Sequence, residues 1–236
     1  MRDIGSNQIV ALLPMKANSS RVPGKNFRDF CGKPLFRWIL DTLLEVEEID
    51  QVVINTDARH LLEKHGLPNS DRVWIRDRKP EICGDDVSMN LVLEDDIRNV
   101  GSDLYLMTHT TNPLMSVHTI KKAFSLFYSE QITGDVDSLF TVNKIQTRFY
   151  RSDLSPVNHD PQNLIPTQEI EPWYEENSNL YLFTSSSFAN TKARIGNRPI
   201  MMETPVLESV DIDTPEEWEL ALSLARSSSK LYFEAL

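Results

Sequence analysis

The chain contains little cysteine and no long hydrophobic run. Its two cysteines, Cys31 and Cys83, each precede a glycine in a sequence of 236 residues. Because residues 1–8 are too polar for an export signal, we expect both thiols to be reduced and the protein to be cytoplasmic. No apolar run approaches the roughly 20 residues that a membrane-spanning helix needs, so we expect no transmembrane segment.

Positive charge is also scarce. Lysine and arginine total 24, against 35 aspartate and glutamate residues, which gives a formal net charge of -11. Nucleic acids and anionic membranes repel a protein of this charge, so the composition argues against both as main partners. A site for phosphate groups must therefore be built locally from clustered cations.

The order of apolar segments predicts an α/β fold in a single domain over residues 1–236. Strand-like runs alternate with helix-like segments, as is typical of a mainly parallel, twisted sheet flanked by helices. The predicted strands are 9–14, 51–55, 72–75, 103–107 and 137–142, and the predicted helices are 35–47, 58–65, 88–99 and 116–129.

Residues 145–175 interrupt this alternation. Proline is disfavoured in helix interiors and in central strands, and this segment contains several prolines, so we expect an irregular excursion from the sheet here. A disordered loop is the alternative. Large aromatic side chains here are costly to leave in water, which favours packing on a partner subunit or a substrate. The prolines are Pro156, Pro161, Pro166 and Pro172, and the aromatic residues are Phe149, Tyr150, Trp173 and Tyr174.

A basic loop follows the first apolar run. Open α/β sheets bind ligands at the carboxyl ends of their strands, which is where this loop is expected. Lys16, Arg21 and Lys25 supply charge for phosphate oxygens, and Ser19 and Gly24 leave backbone amides approachable. A solvated loop with chance basic residues is the alternative.

The same loop lacks the Walker pattern. Lys25 is followed by Asn26 and Phe27 rather than by serine or threonine. This excludes the kinase or NTPase type of phosphate loop.

Two carboxylates near the carboxyl end indicate a metal site. Asp211 and Asp213 alternate in sequence, and a short strand would place both side chains on one face. Adjacent carboxylates repel unless a cation lies between them, and Mg²⁺ prefers oxygen ligands. Alternatively, Asp213 or Thr214 caps the helix that Pro215 begins, which leaves Asp211 unexplained.

Weaker candidates lie between these ends. His109 follows an apolar run, and a neutral histidine can donate or accept one hydrogen bond. Ser88 is the first residue of the predicted helix 88–99, where it either contacts a ligand or caps the helix. Asn177, Asn179 and Tyr181 begin another strand-like run, so they lie near a sheet end or are ordinary strand residues.

Several motifs together resemble the acylneuraminate cytidylyltransferase family. The pattern Lys-x-x-Ser-x-Arg-x-Pro-Gly-Lys-Asn, which begins at Lys16, is similar to the amino-terminal signature of the family, and Asp-Ile-Asp-Thr-Pro, which begins at Asp211, is similar to its metal-binding motif. The segments 85–89, 109–114 and 177–181 match more loosely but in the family's order.

The resemblance implies a Rossmann-like nucleotidyltransferase fold and a homodimer built through residues 145–175. It implies transfer of CMP from CTP to a nonulosonic, sialic-acid-like sugar, with release of pyrophosphate and with Mg²⁺ as cofactor. The implied catalytic residues are Lys16, Lys25 and Asp213. The implied nucleotide-binding residues are Lys16, Ser19, Arg21, Lys25, Asn26 and Ser88. The implied sugar-binding residues are His109, Asn177, Asn179 and Tyr181, to which we add Arg148 from the excursion, and the implied metal ligands are Asp211 and Asp213.

The sequence departs from the family at two points. Lys16 stands where the family commonly has arginine, which keeps the charge but loses a bidentate donor. The basic residue that sialate synthetases carry shortly before the segment at Asn177 is absent, so we expect Arg148 or Arg151 to bind the acceptor carboxylate. The alternatives are an octulosonate or another acid, a different base or a sugar phosphate, or an inert nucleotide-sugar binder.

Overall fold

The computed structural model describes residues 8–234, so residues 1–7 of the polar amino-terminal segment and the last two residues of the predicted domain lie outside the described part. The described chain contains a seven-stranded sheet in the order β5-β4-β1-β6-β8-β7-β9 and a small sheet of β2 and β3. The strands are β1 (Ile9–Leu12), β2 (Asp29–Phe30), β3 (Lys33–Pro34), β4 (Gln51–Thr56), β5 (Val73–Asp77), β6 (Leu104–Met107), β7 (Ser138–Ile145), β8 (Trp173–Thr184) and β9 (Pro199–Glu203).

The first half of the large sheet is parallel. Strand β1 pairs with β4 on one side and with β6 on the other, and β4 pairs with β5. All four residues of β1 are buried, as expected for a strand covered by helices on both faces. After β1, the next two strands in the sequence, β4 and β5, lie on one side of β1. The following strand, β6, lies on the other side of β1, so the topological switch point is between β1 and β6.

Residues 8–234 contain six α-helices, five of which precede residue 200, while α6 packs with Phe30 of the small sheet. Helices α1 and α4 pack on one face through apolar residues that include Ile39, Leu43 and Phe127, while Leu93 of α3 and Phe188 of α5 belong to the core of the other face. The helices are α1 (Leu35–Glu45), α2 (Arg59–His65), α3 (Met89–Asn99), α4 (Val117–Thr133), α5 (Ser185–Thr191) and α6 (Pro215–Glu234). This confirms the predicted α/β architecture and each of the four predicted helices to within a few residues.

The second half of the sheet mixes strand directions. Strand β8 runs antiparallel to both β6 and β7, and β7 is parallel to β9. Strand β7 reaches Ile145, which pairs with Trp173 at the start of β8, so the sheet extends into both ends of the predicted excursion. The irregular part is 146–172, which contains one short 3-10 turn (Thr167–Glu169).

The predicted short strand around Asp211 is wrong. Residues 209–213 form an extended loop between a 3-10 turn (Val206–Glu208) and α6. The backbone NH of Ile212 donates to the carbonyl of Thr111 in a connecting loop, and no ladder forms. Alternation in sequence therefore does not place the two carboxylates on one strand face.

Among residues 8–234, no helix is both long enough and apolar enough to cross a bilayer. Cys31 and Cys83 are both free thiols, as predicted.

Candidate active site

A polar cleft of about 270 Å³ lies at the carboxyl ends of the parallel strands. It is lined by the loop after β1, by Arg78 after β5, by His109–Thr111 after β6, and by Asp213 before α6. These loops meet beside the switch point between β1 and β6, where open α/β sheets bind ligands. Of the residues predicted from sequence, those that line the cleft are Lys16, Ser19, Arg21, Lys25, Asn26, His109 and Asp213.

The loop after β1 is held in a defined shape. Gly24 adopts a left-handed conformation at φ 63° and precedes a 3-10 turn (Lys25–Phe27). The Asn26 Nδ2 atom donates to the Lys16 carbonyl at 2.8 Å, and Thr110 Oγ1 donates to Asn26 Oδ1 at 2.6 Å. Asn26 thus ties the basic loop to the loop after β6, and its amide is engaged inside the protein.

Two cations of the loop converge on one carboxylate. Lys25 Nζ lies 3.0 Å from Asp213 Oδ1, and Arg21 Nη2 lies 2.7 Å from Asp213 Oδ2. The Lys25 side chain is 8% exposed, whereas that of Arg21 is 62% exposed. The Lys25 ammonium is therefore fixed in the cleft wall, while Arg21 approaches from solvent.

Lys16 lies at the opposite side of the loop. Its Nζ atom contacts Asp85 Oδ1 at 2.7 Å, and Asp85 also lines the cleft. Both side chains are substantially exposed, so this pair contributes little stability and can open when an anion enters.

Arg78 is a cleft residue that the sequence reasoning missed. Its Nε atom donates to Asn55 Oδ1 at 2.8 Å, and its Nη2 atom donates to the carbonyls of Asn55 and Met15. Burial lowers the pKa of Arg78, but its usual value is so high that the group stays charged. A basic run directly after a parallel strand was the available signal, as it was for the loop after β1.

A buried carboxylate supports Arg78 from behind. Asn55 Nδ2 donates to Asp96 Oδ1 at 2.7 Å, and Arg76 Nη1 contacts the same oxygen. Burial raises the pKa of Asp96 to about 6, although Asn55 and Arg76 both favour its charged form. The chain Asp96, Asn55, Arg78 therefore fixes the guanidinium in the cleft wall.

His109 is neutral at physiological pH. Burial, which removes water from the imidazole, lowers the pKa of His109 to about 4. The positive charges of Arg194 and Lys25 lower this pKa further, and the negative charge of Asp213 raises it. A neutral imidazole in the cleft wall offers one donor and one acceptor, as the predicted sugar-binding role requires.

The depressed pKa of His109 gives a testable pH dependence of stability. Between about pH 6.5 and pH 4 the unfolded chain binds a proton at this site and the folded chain does not, so acid destabilises the fold. The wild type should therefore lose more free energy of unfolding than His109→Gln as the pH falls through that window. Urea unfolding at several pH values measures this; the difference should be constant above pH 7, and parallel profiles throughout would contradict the shift.

Asp211 and Asp213 line different cavities. Asp211 lies in a second cavity, of about 320 Å³, together with Asn143, Glu176 and Glu217. Burial raises the pKa of Asp211, the charge of Asp213 adds to this, and a hydrogen bond from Thr111 opposes it. The Oδ1 atom of Asp211 is buried and has no hydrogen-bond partner among the described residues.

Thr214 and Glu217, not Asp213, cap helix α6. Thr214 Oγ1 accepts from the Glu217 NH at 3.2 Å, and Glu217 Oε2 accepts from the NH groups of Asp213 and Thr214 at 2.8 Å. This reciprocal arrangement is a capping box. The Asp213 carboxylate is therefore left for the cations of the cleft.

The side chains of Asn177, Asn179 and Tyr181 are engaged inside the protein. Asn177 Nδ2 donates to Asn143 Oδ1 and Thr204 Oγ1, and Asn179 Nδ2 donates to the Glu208 carbonyl. The Tyr181 hydroxyl donates to Glu176 and is also 3.1 Å from Ser178 Oγ. These contacts give the segment a structural role in joining β8 to the loops before α6, and the predicted sugar contacts remain a prediction.

Ser178 adopts a backbone conformation that favours glycine, at φ 58°. A left-handed backbone is costly for a residue that carries a Cβ atom, so Ser178 is strained at this position. We expect Ser178→Gly to unfold with a free energy about 1 kcal/mol higher than Ser178→Ala, because both variants lose the hydroxyl and only alanine keeps the strain. Thermal unfolding of the two variants makes the comparison, and equal melting temperatures would show that the turn is relaxed.

Two other predicted residues lie outside the cleft lining. Ser88 accepts from the Asn90 NH at 3.3 Å and caps α3, as the alternative interpretation held. Arg148 donates from Nη2 to the Ile165 carbonyl at 2.6 Å within the irregular segment. Ser88 is next to Met89, which does line the cleft, while Arg148 is engaged in holding the segment together.

Comparison with known proteins identifies the family. A model of the cytidylyltransferase family matches residues 10–235. The chain is 27% identical to the CMP-N,N'-diacetyllegionaminic acid synthase of Legionella pneumophila, over 92% of this chain and 96% of that protein. It is 22% identical to the pseudaminic acid cytidylyltransferase of Campylobacter jejuni, over 95% and 99% of the two chains.

Solved structures agree on the fold. The CMP:2-keto-3-deoxy-manno-octonic acid synthetase complexed with CTP superposes with a TM-score of 0.67 at 16% identity, over 94% of this chain and 99% of that one. At that identity the likeness shows a shared Rossmann-like nucleotidyltransferase architecture. Because the family model covers almost the whole length, the chain belongs to the cytidylyltransferase family and is a nucleotidyltransferase.

Proposed function

We propose that the enzyme transfers CMP from CTP to an acidic sugar of the nonulosonic class and releases pyrophosphate. The observation that carries the proposal is the cleft, which gathers Lys16, Arg21, Lys25 and Arg78 in a protein whose net charge is -11. Four cations against two carboxylates, Asp85 and Asp213, suit a polyanion such as a nucleoside triphosphate.

In the proposed reaction, the cations of the cleft stabilise the charge of the triphosphate during transfer of CMP. The anomeric hydroxyl of the acceptor attacks the α-phosphorus of CTP and loses its proton to water, the bond between the α-phosphorus and the oxygen that bridges to the β-phosphate breaks, and pyrophosphate leaves. Negative charge on the phosphate oxygens is stabilised by Lys16 and Lys25, with Arg21 at the solvent side. Asn26 keeps the basic loop in register with the loop after β6, and no protein nucleophile is needed.

We propose that Asp213 would hold Mg²⁺ in the cleft and that Asp211, which lines the other cavity, would share the metal only if its side chain turned toward Asp213. The fit rests on the donor set, since both offer hard oxygen ligands, and on the buried Asp211 Oδ1 atom that lacks a hydrogen-bond partner. When bound, Mg²⁺ supplies positive charge to triphosphate oxygens. Lys25 and Arg21 already neutralise Asp213 in the structure, so their ammonium and guanidinium groups compete with the metal for its oxygens.

The acceptor class is supported by the relatives. The names of the two curated relatives refer to legionaminic and pseudaminic acids, which are nonulosonic acids. The name of the solved synthetase refers to a manno-octonic acid, so an octulosonate is the second candidate. All three acceptors carry a carboxylate, and this is the feature that we assign to the substrate of this enzyme.

We propose further that the enzyme is a cytoplasmic homodimer assembled through the excursion. Tyr150 is 54% exposed, Leu154 81% and Trp173 43%, although Trp173 stacks on Phe149 at 4.9 Å. Burying these side chains against a second copy would remove apolar surface from water. Light scattering at micromolar concentration should give twice the chain mass, and a monomer would contradict this proposal.

The activity is tested by pyrophosphate release. Each of CTP, UTP, ATP and GTP is combined with Mg²⁺ and with N,N'-diacetyllegionaminic, pseudaminic, N-acetylneuraminic or 3-deoxy-manno-octulosonic acid. We expect release with CTP and one nonulosonic acid. Release with the octulosonate alone would favour the second candidate. A nucleotide-dependent rise in melting temperature without any release would support an inert nucleotide-sugar binder.

A further inference from the structure

We propose that Arg194 binds the carboxylate of the acceptor. This inference rests on the proposed function and names the side chain that would select an acidic sugar over a neutral one. An acid of this class needs a cation near the cleft, and the sequence offered Arg148 and Arg151 for that role. Arg148 is instead engaged with the Ile165 carbonyl.

Arg194 does not line the cleft itself, but strand register and a ring contact place it near His109, which does. Tyr181 of β8 pairs with Met107 of β6, two residues before His109, which lines the cleft. The Arg194 guanidinium lies over the Tyr181 ring at 4.1 Å from its centroid. Its charge also contributes to lowering the pKa of His109, as expected for a near neighbour. The arginine follows α5 in sequence, so the fold brings it to the site from a distant segment.

The guanidinium is held in place but retains free donors. Arg194 Nη2 contacts Glu176 Oε1 at 3.3 Å, and this is its one ion pair within the described residues. Glu176 also accepts from the Tyr181 hydroxyl, so one carboxylate orients both side chains. A guanidinium has five NH donors, and stacking on a ring leaves its edge available for a bidentate carboxylate.

The cations that line the cleft, including Lys16, are assigned to the triphosphate. Lys25 and Arg21 contact Asp213 within 3.0 Å, and Arg78 donates to Asn55 and to two backbone carbonyls. Arg194 instead lies over Tyr181, which the sequence assigned to the sugar together with His109. Its side chain is 23% exposed, so an acceptor can reach it while water screens it only partly.

The test compares an acid with its methyl ester. Steady-state pyrophosphate release is measured with CTP, Mg²⁺ and N,N'-diacetyllegionaminic acid, or the panel acid that the wild type uses, and with the methyl ester of the same acid. We expect the wild type to prefer the acid over its methyl ester. In Arg194→Gln, KM for the acid should rise about 30-fold, while KM for CTP and KM for the ester should stay within about 3-fold of the wild-type values. Arg194→Lys should recover part of the loss.

Arg198→Gln serves as the matched control. Arg198 lies in the same segment, is 60% exposed and pairs with Asp135, in a cavity that does not include the cleft residues. This variant should match the wild type with both acceptors. Arg148→Gln is measured in parallel, because a selective loss of the acid in that variant would transfer the role to Arg148.

The remaining outcomes overturn the inference in distinguishable ways. Equal losses with acid and ester in Arg194→Gln would show that the arginine only positions Tyr181 and His109. An unchanged KM for the acid in Arg194→Gln would show that Arg194 does not bind the carboxylate. A wild type that uses the ester as well as the acid would show the same. A wild type that is silent with every acid would overturn the proposed function, and this inference with it.

Discussion

Replacing Asp213 with asparagine should lower kcat for pyrophosphate release by about 10³-fold while the protein still folds. Asp213 accepts from Arg21 and Lys25 in the cleft, and it is the residue that would hold Mg²⁺ there. An asparagine keeps the shape of the side chain but removes the charge that fixes both cations. The melting temperature should fall by only a few degrees, because the side chain is 33% exposed and solvent screens the pair.

The control for this prediction is Asp77→Asn. Asp77 pairs with Arg59 on the surface, with a side-chain exposure of 70%, and does not line the cleft. That variant should retain wild-type turnover. If Asp213→Asn instead melts far below the wild type, Asp213 has a structural role. If the variant turns over at the wild-type rate, Asp213 has no role in the reaction.

Lys25→Met should lower kcat/KM for CTP by about 10²- to 10³-fold. The Lys25 ammonium is almost fully buried in the cleft wall, where it donates to the Ile212 carbonyl and lies 3.0 Å from Asp213. Methionine fills a similar volume, so the variant removes charge without opening a large cavity. The loss should appear in kcat as well as in KM, because charge on the phosphate oxygens grows in the transition state.

Initial-rate kinetics at varied CTP and saturating acceptor measure this effect. Lys121→Met is the matched control, since Lys121 lies 3.8 Å from Glu48 on the surface of α4 and is 44% exposed. A Lys25→Met enzyme with unchanged CTP kinetics would show that the triphosphate lies elsewhere. Isothermal binding of CTP to the same variant separates a loss of affinity from a loss of turnover.

The parts of the fold that could be predicted are those with a local signal. An apolar run marked β4, predicted as 51–55 and found as Gln51–Thr56, and helical periodicity marked α1, predicted as 35–47 and found as Leu35–Glu45. The basic loop could be placed at the ligand-binding edge because it directly follows a buried strand. Its contact with Asp213 confirms that the two terminal motifs meet in one cleft.

The features that could not be predicted depend on contacts between distant segments. The start of β8 at Trp173 is fixed by pairing with β7, which overrides the proline just before it. The loop at 209–213 is held by the Thr111 carbonyl rather than by a strand partner. Arg194 is held near His109 because it stacks on Tyr181, and nothing in its own segment marks it. Arg78 did follow a strand, and the same rule that found the basic loop would have found it.

The most direct test of the account follows the α-phosphorus of CTP. The enzyme is incubated with CTP that carries a phosphorus radiolabel at that atom, Mg²⁺ and the acid that the panel selects, and the labelled products are separated by anion-exchange chromatography. We expect the label in a CMP-sugar conjugate and an equal amount of unlabelled pyrophosphate, with both lost in Asp213→Asn. Label that appears only in free CMP, or a conjugate that forms as readily from UTP or ATP, would contradict cytidylyl transfer by this cleft.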